Sequence, residues 1–167
     1  MLTYQQLCGT VRVVATTRWL DERQQHLWRS YLEMNKVLYS RLEALLASEG
    51  GVSAADFAVL VPLSEAPTGV LRARELGTEI GWDRSRLSHH LARMEKRGMV
   101  VREECDEDAR GLMVRLTPSG RQAIEDAAPA HAEAVQRHFF DLLSKKEVDA
   151  LTDVFERVLA RLAKDPG

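Results

Sequence analysis

Cysteine is scarce in this 167-residue chain: Cys8 and Cys105 stand far apart and form no CxxC pair. A disulfide framework and a zinc knuckle are therefore not indicated, and a reducing compartment, the cytoplasm, is the simplest home. Aromatic residues make up 6%, with ten glycines and five prolines, against 45% hydrophobic and 29% charged residues. That balance excludes a fibrous or disordered chain and favours helix. No apolar run nears the roughly 20 residues of a membrane span, and VRVVA, close to the start, is too short for a signal core and lacks a basic flank. A glycine-rich phosphate loop, a nucleophile elbow and HExxH are all missing, so no enzyme is expected. Metal and cofactor are not expected either. His89 and His90 point about 100° apart on a helix, and His131 with Glu133 or His138 finds no third ligand at a useful spacing. The net charge of −2 announces no nucleic acid, so any basic surface must be local.

What is present is helical periodicity. Leu27, Tyr31, Met34, Leu38, Leu42 and Leu45 recur at spacings of three and four, one stripe of a long amphipathic helix between an Asp21 cap and a Gly50-Gly51 stop. Ser53 and Asp56 have capping-box spacing and open a second helix that ends at Pro67-Thr68-Gly69. A third helix is expected over 72–80 and a fourth over 84–97, with Gly81-Trp82 as the sharp turn between them and Asp83 as the cap. Two short helices across a tight turn suggest a helix-turn-helix. After Gly98, the alternation of Met99 and Val101, then Leu112, Val114 and Leu116, reads as two strands around a charged loop from Glu103 to Gly111. This is a wing. Thr117-Pro118 begins a long helix to about Asp141, which Pro129 should bend. Ser144 and Glu147 form a second capping box, leading into Val148, Leu151, Val154, Phe155, Val158, Leu159 and Leu162 on one face. The expected fold is mainly α with a small β-wing: a winged helix-turn-helix over 53–117, flanking dimerisation helices over 21–50 and 118–164, and an N-terminal extension over 1–20.

The fourth helix carries the chemistry. Leu87, Leu91 and Met94 form its inner face, and the outer face presents Arg84, Ser85, Ser88, His89 and Arg93. With Arg86, these are donors and acceptors of the length that reaches base edges and phosphates. Five basic against two acidic residues from Asp83 to Gly98 leave +3, opposite in sign to the whole chain. The adjacent histidines read as groove contacts. On the wing, Asp108 and Arg110 stand two apart; the arginine suits a narrow, electronegative minor groove, and the aspartate can orient an arginine by a charge-assisted pair. Ordinary solvated residues would look similar one by one.

In order and at these spacings, the segments Leu71–Leu76, Trp82–Ser88, Leu91–Val100, Asp108-Ala109-Arg110 and Leu116–Arg121 resemble the MarR (multiple antibiotic resistance) family of regulators, from about Trp19 to Leu162. The resemblance implies an obligate homodimer with intertwined terminal helices. Its two recognition helices would meet double-stranded DNA at a pseudo-palindromic operator, most simply as a repressor. It also implies release by a small aromatic or phenolic effector, for which Trp19, Trp28, Tyr31 and Tyr39 are the candidate walls. Packing at a core or dimer interface is the simpler role for those four. Leu151, Phe155, Val158 and Leu162 support a dimer on their own, because one winged core is not expected to cover such a stripe. The rival reading is a winged-helix protein-interaction module without DNA binding, against which Arg84, Ser88, Arg93 and Arg110 argue. Cys105 sits among Glu103, Glu104, Asp106, Glu107 and Asp108, an acidic crowd that disfavours a reactive thiolate.

Overall fold

The structure, a computed structural model, describes residues 18–105 and 108–164, with the side chains of 104–111 outside the description. The chain order is α1 (Glu22–Ser48), α2 (Ala54–Glu65), β1 (Val70–Arg72), α3 (Ala73–Glu79), α4 (Arg84–Lys96), β2 (Val100–Cys105), β3 (Asp108–Leu116), α5 (Pro118–His138), a 3-10 turn (Phe140–Leu142) and α6 (Lys145–Lys164). The chain divides into two units, residues 1–37 and 38–167.

The helix starts are set by local hydrogen bonds that the sequence spells out. Asp21 Oδ1 accepts from the Gln24 amide at 2.8 Å, and Gln24 Oε1 accepts from the Asp21 amide at 3.1 Å. Ser53 and Asp56 complete the same reciprocal pair at α2, and Ser144 with Glu147 repeats it at α6. Each pair satisfies donors that an open helix end would leave orphaned. Thr117 caps α5, donating from its hydroxyl to Gly98 O at 2.6 Å while accepting from the Gly120 amide at 3.0 Å. Gly120 has no alternative there, because a Cβ would sit 2.1 Å from Met99 O. That close approach locks the base of the wing onto α5. The helix α5 continues through Pro129 to His138, three residues short of the expected end.

Within residues 38–167 a single core gathers Val59, Leu60 and Leu63 of α2, Leu76 of α3, Leu87, Leu91 and Met94 of α4, Val100 and Val114 of the sheet, and Ile124 and Ala127 of α5. Burying each such Leu stabilises the fold by about 1.5–3 kcal/mol relative to exposure. The sheet is antiparallel in the order β1-β3-β2, with Leu71 opposite Val114 and Arg102 opposite Val114 on the other side. Two features depart from the sequence reading. The strand β1 was not expected, since three residues carry no periodicity and pair only because β3 offers its free edge. The wing strands also run through most of the expected loop: β2 extends to Cys105 and β3 starts at Asp108. Charged residues are no obstacle to a solvated ladder, whose backbone pairs regardless of them.

The apolar stripe of α1 changes character along the helix. In the first unit Leu27, Tyr31 and Met34 are exposed, whereas in the second Leu42 and Leu46 are buried. The helix α6 contains no buried residue at all. No helix among the described residues is long and apolar enough to cross a membrane.

Candidate nucleic-acid interface

The candidate interface is built on α4. Asp83 holds an extended backbone and its Oδ1 accepts from the Arg86 amide at 2.9 Å, which caps the helix and draws the aspartate pKa down. The positive φ of Gly81, 68°, lets the chain reverse between α3 and α4, a conformation that costs glycine little. Gly98, at 71°, does the same at the exit towards β2.

Leu87, Leu91 and Met94 face inward as expected, and a fourth residue joins them: His90 is 4% exposed. Its expected role as a groove contact is therefore corrected. Three positions after Leu87 and four before Met94, it lies at the edge of the inner face, where the core covers it. Arg84, Ser85, Arg86, Ser88, His89 and Arg93 are all exposed. At about 100° per residue, Ser85 and His89 centre the outward face. Arg84 and Ser88 line one flank, Arg86 and Arg93 the other.

The two flanks differ in surroundings. Arg84 and Ser88 border a groove of about 970 Å³ shared with Arg72, Arg74 and Thr78 and closed by Leu112 of β3. Arg72 and Arg74 were missed as interface candidates, because in sequence they precede the helix-turn-helix turn and only folding brings them beside α4. On the opposite flank the Arg86 guanidinium carbon lies 4.1 Å from the centroid of the Trp82 ring. Arg93 Nη2 donates to His90 Nδ1 at 2.9 Å.

Beneath this flank lies Asp56, 1% exposed, the residue that also completes the α2 capping box. Arg97 Nη1 donates to Asp56 Oδ2 at 2.9 Å and Nη2 donates to Oδ1, a two-pronged pair that ties the end of α4 to the start of α2. Burial would raise the Asp56 pKa, but hydrogen bonds from Arg97 and Ser53 outweigh it and bring the value to about 2. The carboxylate is thus ionised throughout the neutral range. His90 Nε2 lies 3.0 Å from Asp56 Oδ1, so the ring sits directly against the buried carboxylate. Burial pushes the His90 pKa below its ordinary 6.5, a shift that Asp56 opposes and Arg93 and Arg97 assist. A neutral ring leaves Nδ1 free to accept from Arg93.

The wing is joined to α4 through Glu95, which accepts from the Arg102 amide at 2.9 Å and from its Nε at 2.8 Å. On the wing itself Glu103 pairs with Arg115 of the neighbouring strand. The backbone of Asp108 and Arg110 belongs to β3, and their side chains, with that of Cys105, lie outside the described residues. Trp19, Trp28 and Tyr31 in the first unit are exposed, the last two stacked with centroids 5.6 Å apart, and Tyr39 in the second unit is 68% exposed.

This arrangement, a capped helix with a polar outer face beside a three-stranded wing, matches known proteins. A sequence model described as the MarR family matches residues 50–111. The structure of AbsC, a MarR family transcriptional regulator from Streptomyces coelicolor, superposes with a TM-score of 0.84 at 37% identity, covering 89% of this chain and all of that one. This chain belongs to the MarR family. Sco3205, a MarR family regulator from the same organism solved in complex with DNA, gives 0.84 at 36% identity, covering 89% of this chain and 93% of that one. The transcriptional repressor MprA of Escherichia coli (strain K12) is 27% identical over 128 residues, 77% of this chain and 71% of that protein. The expected mainly α winged helix-turn-helix fold is thus the observed one.

Proposed function

We propose that this MarR-family regulator is a cytoplasmic repressor, without enzymatic activity, that binds a pseudo-palindromic operator as a homodimer. The observation that carries this reading is the outer face of α4, where Arg84, Ser85, Ser88, His89 and Arg93 are exposed together on a helix held rigidly by its cap and by Asp56. A helix so placed offers base-edge and phosphate contacts side by side. Asp108 and Arg110 of the wing are assigned to the adjacent minor groove. The homologue Sco3205, crystallised with DNA, and the repressor MprA support the same reading.

The dimer is assigned to residues 21–50 and 118–164. The exposed faces of α6 and of the first part of α1 are the surfaces it would cover, with Phe155 at 44%, Val158 at 52% and Leu162 at 61% exposure beside the half-buried Leu151. A small aromatic or phenolic effector would lower DNA affinity. Footprinting on the DNA upstream of its own gene tests the core of the proposal. Protection of two half-sites about 10 base pairs apart is expected. A single asymmetric half-site, or a wing variant Arg110→Ala that binds operator and unrelated duplex as tightly as the wild type, would overturn the assigned arrangement.

A further inference from the structure

Four side chains along one flank of α4 form a continuous chain of contacts that helix stability does not require. The Arg86 guanidinium stacks on Trp82 at 4.1 Å. Trp82 meets His90 edge to face, centroids 5.3 Å apart and planes at 89°. His90 Nδ1 accepts from Arg93 at 2.9 Å. The imidazole is buried among Leu87, Leu91 and Met94, where an apolar side chain would pack without the cost of desolvating a polar ring. Its Nε2 stands 3.0 Å from the buried Asp56 carboxylate. What histidine supplies there, and phenylalanine would not, is a polar contact at each nitrogen: the Asp56 carboxylate at Nε2 and, at Nδ1, the acceptor beneath Arg93.

We propose that Trp82 and His90 are positioning residues for DNA recognition, a ring pair that holds the guanidinium groups of Arg86 and Arg93 in place before DNA arrives. The two arginines lie seven residues, or about 10 Å of helix rise, apart on the same flank, so they reach separate phosphates of one strand. A free arginine must lose its rotamer freedom on binding; one already stacked or hydrogen-bonded has lost much of it in advance. The opposite flank, Arg84 and Ser88, opens on the α3 groove, which Trp82 also borders, but among the described residues it is Arg86 and not Arg84 that stacks on that ring. One side of the helix is therefore set for the backbone and the other left adaptable for bases. This inference rests on the DNA-binding reading above.

The test combines binding with coupling. The wild-type protein selects a duplex from a randomised pool; affinities for that duplex and for a scrambled one of equal length are then measured by fluorescence anisotropy. Thermal stability is followed in parallel. Trp82→Leu and His90→Phe are expected to weaken binding to both duplexes about two- to tenfold, the cost of ordering one long side chain at each helix. Trp82→Phe, which restores a ring, and His90→Asn, which restores an acceptor, recover most of the loss. The decisive readout is the double variant: the effect of Trp82→Leu vanishes when Arg86 is already alanine, and that of His90→Phe vanishes when Arg93 is. Losses that persist undiminished in those backgrounds, or that merely follow the fall in thermal stability, overturn the positioning role and leave the DNA-binding reading intact. Unchanged affinity in all ring variants does the same. A wild-type protein that selects no duplex at all overturns both.

Discussion

The winged core and the last helix are built from the same apolar residue types at the same helical spacing, yet they end in opposite states. In α4, Leu91 and Met94 are fully buried, whereas in α6, Leu159 is 65% and Leu162 61% exposed. The difference is not in the pattern. It lies in whether the chain supplies its own opposing surface. Around α4 the chain folds α2, α3, α5 and the sheet; for α6 the single chain buries no residue. A strong stripe thus reports that a face will be covered, without saying by which molecule.

The largest effect should come from the self-sufficient side. Leu91→Ala removes buried methylenes from the centre of the core and should cost about 2–5 kcal/mol, independent of protein concentration, as read by urea denaturation. Asp56→Ala should follow at about 2–4 kcal/mol, because it removes the α2 cap and strips Arg97 of its carboxylate together. Arg97 is half exposed and can rehydrate, which keeps the loss below that of a fully buried pair. If Asp56→Ala proved as mild as an ordinary surface change, the link between α2 and α4 would not be what holds the recognition helix.

On the other side of the comparison, the stability of the wild-type protein should rise by about 1.4 kcal/mol for each tenfold increase in concentration if a second copy covers α6. Phe155→Asp should abolish that dependence together with most of the stability. A melting temperature that ignores concentration would break the contrast and leave the face of α6 for some other partner. Ser88→Ala sharpens a further distinction, between a face that stabilises and a face that recognises. It should cost about 1–3 kcal/mol of operator binding at one base position while leaving thermal stability within ~0.5 kcal/mol.

The smallest expected effect is on pH dependence. His90 is held below 6.5 in the folded protein, chiefly by burial, with Asp56 opposing and Arg93 and Arg97 assisting, while Trp82 packs against its ring. Protonation is therefore easier in the unfolded chain. The stability contributed by the neutral ring is full above about pH 6.5 and declines as the pH falls from there towards the folded-state value. His131, lowered by burial alone, acts in the same direction. His90→Phe should flatten the decline in part, leaving the His131 share. An unchanged pH profile in that variant would show that His90 is not titrating against its burial.

The sequence by itself determined the helix starts, because a cap is a contact between residues three apart. Asp21 with Gln24, Ser53 with Asp56, Asp83 with Arg86 and Ser144 with Glu147 need no distant partner. It also determined which face of α4 is polar, since helical geometry converts spacing into direction without reference to the rest of the chain. Only the tertiary structure decided that β1 exists, that Arg72 and Arg74 share a groove with Arg84 and Ser88, and that His90 is buried while His89 is not. Adjacent histidines on a helix differ by about 100°, and which of them meets the core depends on where α2 and Trp82 come to rest. Asp56 shows both kinds of information in one residue. Its capping role is local and was legible, but its pairing with Arg97, 41 residues away, arises only when the two helices meet.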